Sequence, residues 1–497
     1  FTYSAKKEVN YEYFKNKPTQ LKIYNLIKKK NIISEDELKK LFNNRIIQEL
    51  FKKKYIDRNE YIFNKTISSE KIKLNNEQAK VFSKIRLEFN KFKCYLLHGI
   101  TGSGKTELYI KVSEYIATQD AQILIVVPEI NLTPQTLDRF KKYLNFNVKS
   151  YHSSLTDLQK IQIWSECKSG AVNIIVGTRS SIFLPFKNLK LIIIDEEHDL
   201  SLKQQEKFRY HARDLSIIRA KKNNIPIILG SATPSFESLY NCEINKYEYL
   251  KLEKRYHESA LPKIVLVDLT KDTPDDGFSS ELIRGIRYQL ENKMQTLLFI
   301  GRRGYSKTLL CKNCGWLSKC NKCDAHMAYH EIDRQLWCHH CGNKEGFPLK
   351  IKCCNNTQAI PLGFGTERIE KKLIKDFPNA NIMRIDSDNI TNTQKLKNFI
   401  KKAKDGSVDI LIGTQMLVKG HDFPNVSLVG ILDIDPGLHS IDFRGPEKTA
   451  QLMIQVSGRS GRHKTQGKVI IQTRKPDHPL IIELLSSGYL SFSQKAI

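Results

Sequence analysis

Beyond Leu74 the sequence alternates between short apolar runs and longer stretches in which apolar residues recur every three or four positions. The first pattern is typical of strands covered on both faces, and the second is typical of amphipathic helices. Their alternation predicts a parallel α/β sheet with helical crossovers. The first five strands are predicted at residues 94–98, 122–127, 173–177, 189–195 and 226–230.

A second series of the same kind is predicted at residues 296–300, 382–386, 409–413, 427–433 and 468–473. The fold class is therefore α/β, with one parallel-sheet lobe at 74–255 and another at 256–308 and 358–497. Residues 309–357 interrupt the second lobe as an inserted module. No apolar run approaches the ~18 residues that a membrane span requires, so we expect no membrane partner.

The amino-terminal residues 1–73 have a different pattern. Two amphipathic helices at 20–30 and 35–53, followed by an apolar run at 61–63, predict a linker and a small winged-helix unit. This segment carries 18 basic and nine acidic residues, a net charge of +9. A DNA-contacting face and a solvated spacer both fit that charge.

The whole chain of 497 residues has 80 Lys and Arg against 53 Asp and Glu, a formal charge of +27. Such an excess attracts a polyanion, which favours nucleic acid, although a general abundance of Lys would produce the same excess. The chain begins at Phe1 and has no charged segment followed by an apolar one. We therefore expect a cytoplasmic location and a fragment of a longer protein.

A phosphate loop follows the first predicted strand of the first lobe. Its glycines allow a tight turn whose N–H groups surround phosphate at a helix N-terminus, while Lys105 reaches the outer phosphates and Thr106 binds Mg²⁺. The sequence therefore predicts ATP as a ligand. The predicted nucleotide-binding residues are Gly99, Ile100, Thr101, Gly102, Ser103, Gly104, Lys105 and Thr106.

Acidic residues end the strand at 189–195. Asp195 is expected to hold Mg²⁺ through water, and Glu196 to orient and deprotonate the attacking water. Alone, such a group is more often a solvated turn, and the phosphate loop about 90 residues upstream is what favours the catalytic interpretation. Ser231, Ala232 and Thr233 end a neighbouring strand, where they could couple nucleotide state to movement or simply cap a helix.

Near the carboxyl end, residues 455–462 read QVSGRSGR. Arg459 and Arg462 are candidates for reaching the γ-phosphate across a cleft between the lobes. The alternative is that both arginines are ordinary surface residues.

Eight of the 11 cysteines lie in the inserted module, which points to a metal rather than to disulfides. Six of them form three Cys-x2-Cys pairs, and two such pairs complete one tetrahedral zinc site. Spacing alone does not give the connectivity. The candidate ligands are Cys311, Cys314, Cys320, Cys323, Cys338, Cys341, Cys353 and Cys354.

The segments GITGSGKT, DEEH, SAT and QVSGRSGR together resemble the superfamily 2 helicases, whose motor is two RecA-like lobes with ATP between them. Further segments, at 128–135, 177–183, 203–214 and 413–424, and the cysteine-rich insert are similar to the bacterial replication-restart helicases of the primosome. The resemblance runs from about residue 17 to the carboxyl end. That family also has an N-terminal domain for the 3′ end of the leading strand and a C-terminal DNA-binding domain, which we do not find in this sequence.

The resemblance implies an ATP-driven enzyme that tracks 3′ to 5′ on single-stranded DNA and opens forks for primosome assembly. It implies that Gln78 reads adenine, that Arg459 and Arg462 are arginine fingers or sensors, and that the loop at 203–213 links DNA contact to hydrolysis. Phe208 and Tyr210 could then stack on bases, or belong to the core. The implied partners are single-stranded and forked DNA, single-strand-binding protein and primosome proteins.

For the metal module, the resemblance implies two Zn²⁺ in a nested arrangement. Cys320, Cys323, Cys338 and Cys341 would hold the inner ion, and Cys311, Cys314 and the last pair the outer one. The family's first ligand of that last pair falls on Ile351, which leaves Cys353 as a substitute beside Cys354.

Two other functions remain open from the sequence. One is an ATP-driven translocase or remodeller of double-stranded DNA that never separates strands. The other, from a different class, is a nucleotide-gated DNA-binding platform that assembles partners.

Overall fold

In a computed structural model, the chain divides into two compact units, Phe1–Ser68 and Ser69–Ile497. The structure describes residues 2–6, 9, 11–30, 33–34, 38, 41–53, 55–59, 72–117, 121–128, 134–144, 146–206, 208–255, 262–272, 275–301, 309–311, 318–323, 327–330, 335–338, 341–346, 359–361, 366–385, 393–414, 423–432, 434–438, 442–461 and 466–497.

The first unit packs helices on a three-stranded antiparallel sheet of order β2-β1-β3. Apolar residues of both layers, such as Tyr3, Ile27 and Leu50, form its core. The elements are β1 Thr2–Ala5, α1 Pro18–Lys30, β2 Ile33–Ser34, α2 Asn44–Lys52 and β3 Ile56–Asn59.

Helix α1 agrees with the first helix predicted in this unit. Within the second predicted helix, Leu38 and Leu41 are helical, but Phe42 and Asn43 are not, and α2 starts anew after them because the Asn43 side chain accepts a hydrogen bond from the Arg45 N–H. The predicted run at 61–63 lies outside the described residues. The winged-helix interpretation therefore stays a prediction.

The second unit begins with a lobe built on a seven-stranded parallel sheet of order β12-β4-β11-β8-β5-β7-β6. Its strands, and the separate antiparallel pair β9 and β10, are β4 Cys94–Gly99, β5 Gln122–Val126, β6 Val148–Tyr151, β7 Ile174–Gly177, β8 Leu189–Asp195, β9 Lys203–Gln204, β10 Tyr210–His211, β11 Ile227–Ser231 and β12 Glu248–Leu252. The helices are α3 Asn76–Leu87, α4 Lys105–Ile116, α5 Pro134–Tyr143, α6 Asp157–Ser169, α7 Ala212–Lys222 and α8 Phe236–Glu243.

The second lobe has a six-stranded parallel sheet of order β13-β23-β22-β14-β21-β20. Its strands and those of the insert are β13 Lys263–Asp268, β14 Gln295–Phe299, β15 Leu309–Cys311, β16 Ala328–His330, β17 Gln335–Trp337, β18 Lys344–Gly346, β19 Ala359–Pro361, β20 Ile382–Ile385, β21 Ile410–Gly413, β22 Val426–Ile431 and β23 Lys468–Thr473. The helices are α9 Ser280–Glu291, α10 Thr366–Asp376, α11 Thr393–Lys404, α12 Asp435–Leu438, α13 Gly445–Ser457, α14 Pro479–Ser486 and α15 Gly488–Ala496.

The predicted α/β class with two parallel-sheet lobes is confirmed, and so are all ten predicted strands. The insert follows β14 and precedes α10, and its strand β19 lies just past the limit of 357 given from the sequence. Its strands form two small sheets, β15 with β19 and β16 with β17 and β18.

The order of the first sheet brings the candidate site together, because parallel strands end at the same edge. In the register of β8, β11 and β4, Asp195 lies beside Gly230 and Gly230 beside Leu97. The phosphate loop and the acidic strand end are thus two strands apart, ~10 Å by ordinary strand spacing. Among the described helices, none is both long and apolar enough to cross a membrane.

Candidate nucleotide site and metal centre

The phosphate loop connects the buried strand β4 to helix α4. Gly102 and Gly104 have φ values of +83° and +80°, a left-handed backbone that glycine adopts without strain. Gly104 is the N-cap of α4 and supplies no capping side chain, so the N–H groups of the first turn remain available. A helix N-terminus of this kind binds an anion such as phosphate.

Lys105 and Gln78 both contact the loop itself. The Lys105 Nζ donates a hydrogen bond to the Gly99 carbonyl at 2.8 Å. Gln78 is buried, and its Nε2 donates to the carbonyls of Ser103 and Gly104, each at 3.1 Å. The Gln78 Oε1 accepts from the N–H of Asn75 in a capping box. The predicted residues thus lie together, but the amide of Gln78 is engaged by the loop.

Asp195 and Glu196 lie at the carboxyl end of β8. Burial raises the pKa of Asp195 to about 6, and the neighbouring Glu196 charge adds to the shift. Glu196 has a φ of +48°, an uncommon backbone for a residue with a side chain. Its Oε2 and the Oγ of Ser103 are buried and make no hydrogen bond in the described part of the chain. The Glu196 Oε2 lies 3.7 Å from the His198 Nδ1, beyond hydrogen-bond distance, so both atoms can accept a hydrogen bond from a ligand or a water.

The next residue, Glu197, has a structural role that the sequence analysis missed. It is fully buried, and its Oε2 accepts hydrogen bonds from Arg213 at 3.1 Å and from Ser238 at 2.8 Å. Its Oε1 accepts from the N–H of Ser235 at 2.7 Å. Despite burial, these partners and the Arg213 charge lower the pKa of Glu197, so it is a paired carboxylate. The network fixes the acidic turn to α7 and to the start of α8.

The two lobes meet beside this turn. His198 pairs with the Ser231 Oγ at 2.7 Å through Nδ1 and with the Gln455 Nε2 at 2.5 Å through Nε2. The Gln455 Nε2 also donates to the Thr233 Oγ1 at 3.1 Å. Thr233, predicted at this strand end, therefore contacts a side chain of α13 in the second lobe, whereas Ser231 is connected to that side chain through His198.

The arginine-containing segment lies directly after α13. A Cβ on Gly458 would come within 2.7 Å of the Thr101 side chain, so this segment packs against the phosphate loop. The Gly461 carbonyl accepts a hydrogen bond from Arg255 at 3.1 Å. Arg459 belongs to this packed segment, whereas Arg462 lies outside the described residues.

An exposed group of aromatic rings lies at the loop that the sequence analysis singled out. Phe208 is 70% exposed, and its ring centroid is 5.8 Å from that of Tyr210. Phe183, which the sequence analysis did not identify, lies 5.0 Å from the Tyr210 ring. Phe208 is thus not a core residue, while Tyr210 is partly buried against the core.

Four cysteines of the insert converge on one point. The sulfurs of Cys320, Cys323, Cys338 and Cys341 all lie within 4.8 Å of one another, close to the ~3.8 Å between sulfurs of a tetrahedral zinc site. Partial burial opposes ionisation of Cys320, but the Lys322 N–H and the neighbouring Cys341 lower its pKa to about 6. These residues fit the inner Zn²⁺. The Cys311 side chain, Cys314, Cys353 and Cys354 lie outside the described structure.

Comparisons with known proteins agree with this arrangement. Residues 75–242 match the model of the DEAD/DEAH box helicases, and residues 350–464 match the helicase conserved C-terminal domain. Residues 320–345 match the Cys-rich region of the PriA DNA helicase. A structure of the helicase MrfA bound to DNA is similar with a TM-score of 0.53 and 14% identity, covering 84% of this chain and 51% of MrfA. That likeness concerns the fold alone.

Curated relatives are much more similar in sequence. The replication restart protein PriA of Haemophilus influenzae is 44% identical over 430 residues, which are 86% of this chain and 59% of that protein. PriA of Bacillus subtilis is 40% identical over 472 residues, 94% of this chain and 58% of that protein. The chain thus spans about three fifths of the length of these relatives. Over its helicase and cysteine-rich regions, the chain is homologous to the replication restart protein PriA.

Proposed function

We propose that this protein is an ATP-dependent 3′ to 5′ DNA helicase of replication restart, acting in primosome assembly at stalled forks. The observation that carries the proposal is the packing of the second lobe onto the phosphate loop, where Gly458 meets Thr101 beside the acidic turn. A nucleotide bound there would contact both lobes. Its hydrolysis would therefore change how the lobes are held together, which is the basis of a motor.

The side chains divide the chemistry between them. Lys105 would leave the Gly99 carbonyl for the outer phosphates, and Thr106 and Asp195 would hold Mg²⁺, which neutralises phosphate charge. The Glu196 Oε2, which accepts no hydrogen bond in the described structure and lies 3.7 Å from the His198 Nδ1, would take the proton of the attacking water. Arg459 and Arg462 would stabilise the charge of the transferred phosphoryl group from the second lobe.

The adenine-reading role of Gln78 belongs to the same proposal. The Gln78 amide contacts the loop carbonyls in this structure, so it would have to exchange these bonds for bonds to the base. A Cβ at Gly104 would lie 2.2 Å from the Gln78 Nε2, which shows how closely the two are packed. Nucleotide binding would therefore rearrange the loop and Gln78 together.

We propose single-stranded and forked DNA as the nucleic acid partner, with single-strand-binding protein and primosome proteins as protein partners, in the bacterial cytoplasm. The charge of +27 and the exposed Phe208 ring support DNA binding through phosphates and stacked bases. The domain limits given from the sequence and a second Zn²⁺ at the outer cysteines are part of this proposal.

Two measurements on the purified chain test it. ATP hydrolysis should rise when single-stranded DNA is added, and forks that offer a 3′ tail should be unwound while forks with only a 5′ tail are not. Stimulation by double-stranded DNA without unwinding would favour the translocase. Nucleotide-dependent DNA binding without turnover would favour the assembly platform.

A further inference from the structure

We infer that Tyr109 is a positioning residue that fixes the orientation of the Asp195 carboxylate for metal-nucleotide binding. This inference rests on the proposed function, because it concerns the same site. Tyr109 was not among the residues that the sequence pointed to.

The phenol reaches Asp195 from the helix that follows the phosphate loop. Tyr109 lies four residues after Lys105 in α4, so the two side chains leave the same side of the helix one turn apart. The Tyr109 Oη donates a hydrogen bond to the Asp195 Oδ1 at 3.0 Å. Only 1% of Tyr109 is exposed, which leaves its hydroxyl no water to replace this acceptor.

The sheet provides space for this contact. Gly230 on β11 is the register neighbour of Asp195, and a Cβ at Gly230 would lie 1.6 Å from the Tyr109 Oη. The phenol therefore lies over β11 at a position where the strand has no side chain. A larger residue at 230 would displace the hydroxyl from Asp195.

The hydrogen bond occupies Oδ1 and restricts rotation of the carboxylate. Partners that orient a metal ligand in this way typically change metal affinity by about 10- to 100-fold when removed. Since Tyr109 touches neither the phosphate loop nor any other proposed ligand through a described hydrogen bond, its removal should affect the metal-dependent part of nucleotide binding.

The test is calorimetric titration of Tyr109→Phe with ADP in the presence and absence of Mg²⁺. Phenylalanine keeps the ring and removes only the donor. We expect Mg·ADP to bind about tenfold more weakly than to the wild type, while the affinity for metal-free ADP changes less than about twofold. The Mg²⁺ concentration that half-saturates ATP hydrolysis should rise by a similar factor.

Tyr95→Phe is the matched control, because Tyr95 is equally buried in the same lobe and its hydroxyl bonds to Glu88 instead. It should leave both affinities unchanged. Gly230→Ala is a second route to the same result, since it moves the hydroxyl without removing it, and it should also weaken Mg·ADP selectively.

Three results would overturn the inference. Tyr109→Phe could bind ADP more weakly by the same factor with and without Mg²⁺, it could bind Mg·ADP as tightly as the wild type, or Tyr95→Phe could lose as much affinity for Mg·ADP as Tyr109→Phe. A wild-type chain that binds Mg·ADP and hydrolyses ATP while Tyr109→Phe behaves identically would refute only this inference. A wild-type chain that binds no nucleotide would refute the proposed function as well.

Discussion

The nucleotide site of the first lobe and the four-cysteine cluster of the insert are built in opposite ways. Strands β4 and β11 are buried along their whole length, and Lys105 and Glu197 already have protein partners. The core of the insert, among its described residues, contains five buried side chains, and two of these are the ligands Cys320 and Cys338. The fold positions the first site, whereas we expect the second to depend on its metal for its own stability.

The physical reason for this difference is the small size of the insert. A module of about 50 residues buries so little apolar surface that it usually needs a metal, a disulfide or a partner to fold. The sheet of the first lobe has no such shortage. Mutations at the nucleotide site should therefore change chemistry without unfolding, while loss of zinc should unfold the insert and leave the motor intact.

The largest effect on ATP turnover is expected for Lys105→Ala. The substitution removes the ammonium that would contact the outer phosphates, and the loop keeps its glycine-defined turn. We expect turnover to fall by three orders of magnitude or more, a magnitude typical of lost phosphate contacts, with little change in DNA binding. Steady-state hydrolysis measures the turnover, and a DNA-binding isotherm measures the affinity for DNA. Lys111→Ala, in the same helix with its ammonium on Glu114, is the control.

A loss of comparable size is expected for Arg462→Ala, by a factor on the order of a thousand or more if the guanidinium stabilises the transferred phosphoryl group. Nucleotide affinity should change little, because the effect belongs to the transition state. Arg459→Ala measured in parallel shows which arginine carries the effect. Wild-type rates in both variants would mean that the second lobe contributes contacts but no catalytic charge.

A third prediction concerns stability at low pH through His98, which precedes the phosphate loop. Burial is the main reason that its pKa falls from 6.5 to about 4, and its ring bonds to Tyr249 and to the Ala232 carbonyl. Below pH 6.5 the unfolded chain binds a proton that the folded chain does not bind until about pH 4. Stability should therefore fall across that window, by about 3 kcal/mol from this residue.

Thermal unfolding between pH 4 and 7 compares the wild type with His98→Gln. The variant is expected to be less stable at pH 7, because it loses well-packed hydrogen bonds, but to lose less stability on acidification. If the stabilities of the two proteins fall by the same amount between pH 7 and pH 4, His98 does not titrate in this way.

In the two parallel sheets, the sequence predicted the central strands better than the edge strands. All ten predicted strands exist, but β6, β12 and β13 of these sheets were missed, and each lies at the edge of its sheet. Edge strands are partly solvated, so polar residues such as those of Glu248–Leu252 break the apolar run that marks a central strand. The pattern of apolar residues reports burial, and an edge strand is only half buried.

In the candidate site as well, the sequence predicted only the residues that have a local signal. Lys105 and Asp195 were identified because the local sequence at a strand end requires them. Arg213 lies 16 residues after Glu197, and Gln455 lies 257 residues after His198, so neither pairing has a local signal. Tyr109 had a weak signal, a hydroxyl on the buried side of α4 one turn after Lys105.

The smallest effect on turnover is expected from removal of zinc. We expect two Zn²⁺ in freshly purified protein, with the outer one lost first to a chelator because Ile351 replaces a family ligand. Cys353→Ser should remove the outer ion and spare the inner one, if Cys353 is the substitute ligand. Elemental analysis counts both.

After chelation, removal of the chelator and return of Mg²⁺, ATP hydrolysis without DNA should change by less than about twofold, because β4, β8 and β11 have a core independent of the insert's small one. Cys338→Ser should lose the inner zinc with the same small change, and Cys167→Ser, at a buried thiol of the first lobe, should keep both ions. Hydrolysis that falls in step with zinc content would show that the insert supports the motor. The contrast between a site positioned by its fold and one positioned by its metal would then not hold.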